Sequence, residues 1–385
     1  MKDYQFLQKK YVVPSYANRG LTLVRGDGVY LFDDNGNKYL DLMGNYGVNI
    51  FGYNNAQINK AIINQLKKLS NLHGSFTSDV RAEASEKLVK RCGLNYSKVY
   101  WSNSRAEAID AALKFAALST NRKKFVAAKG SFHGKTLGAL SATGMSKYRL
   151  SFEPLLWQFV HVDYNDIGQL KKAVDKKTTA VILEPIQGES GIIVPDEGYL
   201  REAQRVCKAS GSLLILDEVQ TGVGRTGWFL ASQETNVDAD IVCLGKGLAG
   251  GLPVVATIVK EDIASKIPKS SQTSTLGGNP LVSAATLATL GSLDEKTLQH
   301  IKRIGRYLIN SLKSIESNLI VEIRGRGLMI AIQVNRDRDR ILKDLQKNGV
   351  LAIPAADDVV RFLPPYIINR KQIDNAVGIF QKILS

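Results

Sequence analysis

The chain predicts an α/β protein: a largely parallel sheet covered on both faces, with a smaller α/β portion at its end. Three observations predict it. Short, almost continuously apolar runs alternate with helical patterns of about 12 residues from residue 55 onward, the signature of strands buried on both faces. A short antiparallel meander precedes them. A second, separate α/β pattern follows residue 290.

Taken in order, Leu21–Arg25, Val29–Asp33 and Lys38–Leu42 alternate apolar and polar residues and are broken by Gly26-Asp27-Gly28 and Asn35-Gly36-Asn37, as a meander requires. The buried strands include 98–101, 125–128, 180–184, 213–217, 241–244 and 254–258, and a helix is expected over Ala108–Ser119. Beyond residue 290 come a long polar helix, a strand at Ile320–Ile323, a turn at Arg324–Gly327, another strand, a helix over Ile341–Asn348 and a terminal helix from Arg370. There is no repeat and no low-complexity tract.

Composition narrows the class. With 385 residues and 44% hydrophobic content the chain can bury a large core, and its length favours two domains. Cys92, Cys207 and Cys243 show no CxxC spacing, so neither a zinc site nor a disulfide framework is indicated and a reducing, cytoplasmic setting is expected. The start, Met1–Gln5, lacks a signal-peptide core, and no run reaches the roughly 18 apolar residues of a membrane span. The 51 basic against 36 acidic residues give +15, which suits an acidic partner or substrate and equally a lysine-rich solvated surface. No basic run interleaved with aromatics points to nucleic acid.

Chemistry concentrates at strand ends, where sheets of this class bind ligands. The run Ile241–Leu244 delivers Lys246 into the glycine-rich turn Gly245–Gly251, where a lysine gains nothing from packing and a desolvated amine becomes a nucleophile. Asp217 closes another buried strand; it calls for a cationic partner, either a ligand nitrogen or a structural ion pair. Ser102–Glu107 precedes a helix and offers hydroxyls and free amides to a phosphate, though serine and asparagine there serve equally as caps. Gly130-Ser131-Phe132-His133-Gly134 puts an aromatic and an imidazole in a turn, and Glu184–Gly191 presents Glu184 and Glu189 at the same edge.

These residues, in this order and over essentially the full length to Arg361–Pro365, resemble the class III, fold type I aminotransferases that use pyridoxal 5'-phosphate, in particular the acetylornithine and ornithine aminotransferase branch. The resemblance implies a large domain with a mostly parallel seven-stranded sheet and a small α/β domain built from both termini, with boundaries at 1–50, 51–288 and 289–385. It makes Lys246 the Schiff-base lysine and general acid/base and Asp217 the partner of the pyridinium nitrogen. Phe132 would stack on the ring, Gln220 would approach its hydroxyl, and Ser104, Arg105 and Ala106 would hold the phosphate. Thr275, beside Ser274, resembles the threonine that reaches the phosphate of a neighbouring subunit, so a homodimer with shared active sites is implied. Glu189 and Arg361 resemble the pair that lets one site take two substrates: the glutamate covers the arginine, then swings away so that the guanidinium grips the α-carboxylate of glutamate, the donor that becomes 2-oxoglutarate.

Four positions depart from the family pattern. Arg105 stands where a glycine is usual, Lys135 where an arginine binds the substrate α-carboxylate, Tyr53 where Leu-Gly-His ends in histidine, and Gln272 where a histidine precedes the phosphate threonine. Relatives in this branch differ in what masks the substrate's α-amino group: an acetyl group, nothing, or an acidic carrier protein of the LysW type. The +15 charge and Lys135 favour the carrier-bound aminoadipate or glutamate semialdehyde, with acetylornithine as the alternative, then free ornithine or 4-aminobutyrate.

Overall fold

The computed structural model describes residues 3–384; Met1 and Lys2, part of the start read for targeting, lie outside them. Among the described residues fifteen strands form three sheets. The central sheet contains β4 (Tyr96–Ser102), β5 (Lys124–Ala128), β6 (Gln158–Val162), β7 (Thr178–Leu183), β8 (Leu213–Asp217), β9 (Ile241–Leu244) and β10 (Val255–Lys260), in the order β4-β10-β9-β8-β7-β5-β6. Only β10 runs against its neighbours β4 and β9. Two reversals restore direction, so β4 points the same way as β9, β8, β7, β5 and β6.

Strand period explains why these runs read as continuously apolar. Successive side chains face opposite sides of a sheet. In β7, Ala180 and Ile182 enter one core with Ala108, Ile109 and Phe115 of the helix Arg105–Thr120. Val181 and Leu183 enter the other with Ala84 and Leu88 of the helix Asp79–Cys92 and Leu200 of Tyr199–Ser210. Both faces are dry, and each buried Leu or Ile contributes about 1.5–3 kcal/mol. The edge strand β6 is only part-buried and correspondingly mixed in sequence, which is why no apolar run marks it.

The meander is β1 (Leu23–Asp27), β2 (Tyr30–Asp33) and β3 (Lys38–Asp41), antiparallel as expected; a fourth strand, β13 (Val350–Leu351), pairs parallel with β3, so both ends of the chain build this sheet. The last sheet is β11 (Ile320–Arg326), β12 (Met329–Val334), β15 (Val359–Phe362) and β14 (Ile353–Ala355), all antiparallel. The helix Glu295–Lys313 covers it with Leu298, Ile301, Ile304, Leu308 and Leu312, at helical spacing.

Two of the boundaries that differ from expectation have a visible cause. The turn expected at Arg324–Gly327 is strand through Arg326, because Arg324 is held by Gln333 across the ladder and by the carbonyls of Gly191 and Ile192. Gly327 then turns the chain at φ +54°, where a Cβ would come within 2.6 Å of the Arg225 carbonyl. The helix expected from Ala108 begins at Arg105, because Ser104 and Glu107 form a reciprocal capping box. Among the described residues no helix is long and apolar enough to cross a membrane.

Candidate active site

Because β4, β5, β7, β8 and β9 share a direction, their carboxyl ends deliver five segments to one edge. These are Ser102–Glu107, Phe132–Gly134, Glu184, Asp217 and Lys246. The turn after β5 is drawn onto the helix Arg105–Thr120: Gly134 sits at φ +142°, and a Cβ there would lie 2.7 Å from that of Ala106.

Asp217 is 1% exposed and crowded with donors. Its Oδ2 accepts from His133 Nδ1 at 2.8 Å, Arg105 Nε at 2.9 Å and Arg105 Nη2 at 2.7 Å; its Oδ1 accepts from the Val219 amide at 3.2 Å. Burial alone would raise its pKa, but the charge of Arg105 and the His133 hydrogen bond hold it below the ordinary carboxylate value. Arg105 Nη2 also reaches Glu184 Oε2 at 3.1 Å, and Glu184 Oε1 accepts the Phe132 amide at 2.9 Å. The backbone of Arg105 is right-handed helical, without positive φ. His133 fixes Asp217 while its own Nε2 is buried without a hydrogen-bond partner.

Lys246 opens a short 3-10 turn in the left-handed conformation, φ +48°, a placement that costs a residue with a side chain on the order of 1–3 kcal/mol. Gly247 makes it possible for the turn to lie on the core, since a Cβ there would meet Ile50 at 2.6 Å. Lys246 lines the cleft, half-buried. Desolvation first, and the positive charge of Arg105 second, lower its amine from 10.5 to about 7, against the pull of Glu189.

Arg361, on β15, is fully buried. Its Nη1 donates to Glu189 Oε1 at 2.9 Å, to the Gly188 carbonyl at 3.0 Å and to Gln220 Oε1 at 3.3 Å. Its Nε and Nη2 have no partner. Glu189, though largely desolvated, is held down to about 2 by the Arg361 charge. Gly188 is needed where it stands: a Cβ would come 2.3 Å from Gln220 Oε1. Tyr46 lies over this pair, its ring 6.0 Å from the Arg361 guanidinium carbon. It is held there by four successive residues of positive φ, Gly44 to Gly47, with Gly44 pressed against the Leu363 carbonyl.

The structure therefore brings Lys246, Asp217, Arg105, Glu189, Gln220 and Arg361 into one cleft. Phe132 stands at its wall, edge-on to Tyr148 at 5.5 Å. Ser104 caps the helix: the amides of Asn103 and Ser104 bond Glu107 at 2.8 and 2.7 Å and that of Glu107 bonds Ser104 Oγ, so the amides of Arg105 and Ala106 are the first-turn donors without an intrahelical acceptor. Ser274 Oγ accepts from Asn103 Nδ2 at 3.3 Å beside that turn, while Thr275 faces outward, exposed. Lys135 is exposed at the rim, its ammonium 4.8 Å from the Tyr148 ring. Tyr53 and Gln272 are engaged elsewhere, on Asp41 and on Lys114 and Tyr100. Sequence reasoning gave no role to His133 or Glu184, whose strand-end positions were the available signal, nor to Tyr148 and Tyr46, for which the sequence holds only the Gly44/Gly47 bracket.

Residues 11–384 match the family model described as aminotransferase class-III. The chain is a class III aminotransferase. An acetylornithine aminotransferase of Methanopyrus kandleri is 39% identical over 379 residues, 98% of this chain and 97% of its own length. A Pyrococcus abyssi protein provisionally named a LysW-aminoadipate semialdehyde/glutamate semialdehyde transaminase is 40% identical, over 93% of this chain and 95% of its own. Among solved structures, the ornithine aminotransferase of Toxoplasma gondii superposes with a TM-score of 0.95 at 31% identity, covering 99% of this chain and 94% of that one.

Class III aminotransferases use pyridoxal 5'-phosphate, which a second structure of the Toxoplasma enzyme reports at its active site. The residues here fit that group: a desolvated amine, a buried carboxylate kept anionic, free first-turn amides, and a buried Gln220 Nε2 that has no acceptor. One feature stands in its way, the Arg105 guanidinium on Asp217.

Proposed function

We propose that this aminotransferase moves an amino group between glutamate and the ω-aldehyde of a substrate whose α-amino group is masked, and that the mask is an acidic carrier protein of the LysW type. The observation that carries the two-substrate reading is the Arg361–Glu189 pair: a fully buried guanidinium with two unpartnered nitrogens, covered by a carboxylate that remains 23% exposed and free to turn outward.

Pyridoxal phosphate, when bound, supplies the electron sink that stabilises negative charge at the substrate carbon. The chain's own residues do the rest. Asp217, kept anionic by its donors against the effect of burial, would hold a ring nitrogen protonated, and His133 fixes its orientation. Ser104 and the amides of Arg105 and Ala106 would hold the phosphate at a helix N-terminus, Phe132 would cover one ring face and Gln220 would meet the ring hydroxyl. Lys246, its amine lowered to about 7, would take the proton from the glutamate Cα and hand it on to the cofactor rather than back to Cα. With Glu189 turned away, the free Nε and Nη2 of Arg361 grip the glutamate α-carboxylate in two-pronged fashion; with Glu189 in place, the same cleft admits the uncharged end of the semialdehyde.

Carrier binding is favoured by the net charge of +15 and by Lys135 and Lys147, both exposed and both beside Tyr148 at the rim. A lysine at 135 keeps the charge but not the bidentate geometry an arginine would give a small α-carboxylate. The second reading, an N-acetylated substrate, is favoured by the 39% identical relative named for it. Thr275, exposed beside the phosphate turn, is assigned to the phosphate of a second copy in a homodimer, and three buried free cysteines suit a reducing cytoplasm. We take residues 51–288 as the cofactor-binding body, with 1–50 and 289–385 forming the smaller domain.

The test is glutamate-dependent turnover of one semialdehyde presented on an acidic carrier, N-acetylated and free, at low and moderate salt. A preference for the carrier that weakens with salt is expected. Equal or better turnover of the acetylated form returns the substrate to the acetylornithine type.

A further inference from the structure

We propose that Arg105 is a built-in competitor for the cofactor: its guanidinium sits on Oδ2 of the Asp217 carboxylate that would receive a ring nitrogen, so the site loads as Arg105 is displaced. The inference rests on the reading of Asp217 as the ring nitrogen's partner and not on which semialdehyde is aminated.

Oδ2 leaves no room for both. Asp217 Oδ2 already accepts three donors, His133 Nδ1 and two nitrogens of Arg105, and Oδ1 is turned to the Val219 amide. Three donors already exceed the two lone pairs of that oxygen, so a further N–H at Oδ2 must replace a present one. His133 is fully buried and held by its own amide to Thr143, whereas the Arg105 side chain starts at the first turn of a helix, is 11% exposed and has a flexible stem. Arg105 is the donor that can leave. Its guanidinium carbon also lies 5.4 Å from the centre of the Phe132 ring, on the wall against which a flat ligand would stack.

The same contacts give Arg105 a stabilising role before loading. Asp217 and Glu184 are buried carboxylates within 3.1 Å of one guanidinium. Without it, two like charges face each other in a dry cleft, an arrangement that strongly destabilises a fold. Arg105 therefore keeps the empty site intact and weakens cofactor binding by the same interaction.

The experiment strips the full-length protein of cofactor and titrates it with pyridoxal phosphate, reading quenching of intrinsic fluorescence, in wild type, Arg105→Met and Arg105→Gly. Melting temperature is measured with and without cofactor. Either variant is expected to bind pyridoxal phosphate about tenfold tighter or more, and to melt below wild type only when cofactor-free. An unchanged or weaker affinity in both variants overturns the proposal, and an unchanged cofactor-free melting temperature removes its stabilising half. The glycine variant carries the test if the methionine variant does not fold. A parallel titration with the analogue bearing C–H in place of the ring nitrogen separates the two readings. If wild type and variants bind both compounds alike, the role of Asp217 fails. If pyridoxal phosphate is preferred but Arg105→Met changes nothing, the role of Arg105 alone fails.

Discussion

Replacing Lys246 by methionine removes an amine that the fold depresses, and the effect on stability has a definite sign and pH window. The amine titrates at about 7 in the folded chain against 10.5 when free. Between these values the unfolded chain holds the proton and the folded chain does not, so stability rises with pH across the window; below 7 the penalty is fully present, and above 10.5 it is gone. From pH 7.5 to 9.5 the difference is worth about 2 kcal/mol in favour of the folded wild type, once the water reaching this half-buried side chain is allowed for. Cofactor-free wild type and Lys246→Met are unfolded in urea at both pH values. Taking the difference of differences cancels the buried thiols of Cys92, Cys207 and Cys243, which titrate in the opposite sense in both proteins. The variant is expected to be the more stable at pH 7.5 and to lose about 2 kcal/mol of that lead by pH 9.5. A lead that does not change with pH would refute the reasoning that desolvation and Arg105 activate Lys246.

Two substitutions separate the half-reactions. Arg361→Lys keeps a charge but loses the fork, and the KM for glutamate is expected to rise about tenfold or more with a smaller change for the semialdehyde, read from initial rates with each substrate varied. Glu189→Gln removes the charge that neutralises Arg361 while keeping the side chain's size: glutamate consumption in a single turnover should persist, while steady-state amination of the semialdehyde falls about tenfold or more, and equal loss in both would contradict a covering role. Both variants should also melt earlier than wild type, since Arg361 is fully buried.

Much of this was legible from residue order alone. A sheet buried on both faces writes near-continuous apolar runs, and charged side chains at its edge interrupt them at their ends, which is how Asp217 after Leu213–Leu216 and Lys246 after Ile241–Leu244 stand out. Edge strand β6 left no such mark because it is only part-buried and mixes polar with apolar residues. Arg105 could be read as an unusual residue in a phosphate turn, but not as a guanidinium on Asp217. That contact spans 112 positions and depends on β10 running against both β4 and β9, which no local pattern encodes. Tyr46 was hidden for another reason: its left-handed turn is set by close packing of Gly44 on Leu363, more than 300 positions away. Likewise the strand at Arg324–Arg326 looked like a turn because glycine and arginine dominate it, and only the cross-strand partner Gln333 and the carbonyls of Gly191 and Ile192 make it extended.

The central claim is that the cleft holding Lys246 and Asp217 binds pyridoxal phosphate through Lys246. The most direct measurement is borohydride reduction of the loaded protein, followed by peptide mass analysis. The account predicts one phosphopyridoxyl group per chain, on the peptide containing Lys246, and none in Lys246→Met. A label on another lysine, or undiminished labelling of the methionine variant, would contradict it.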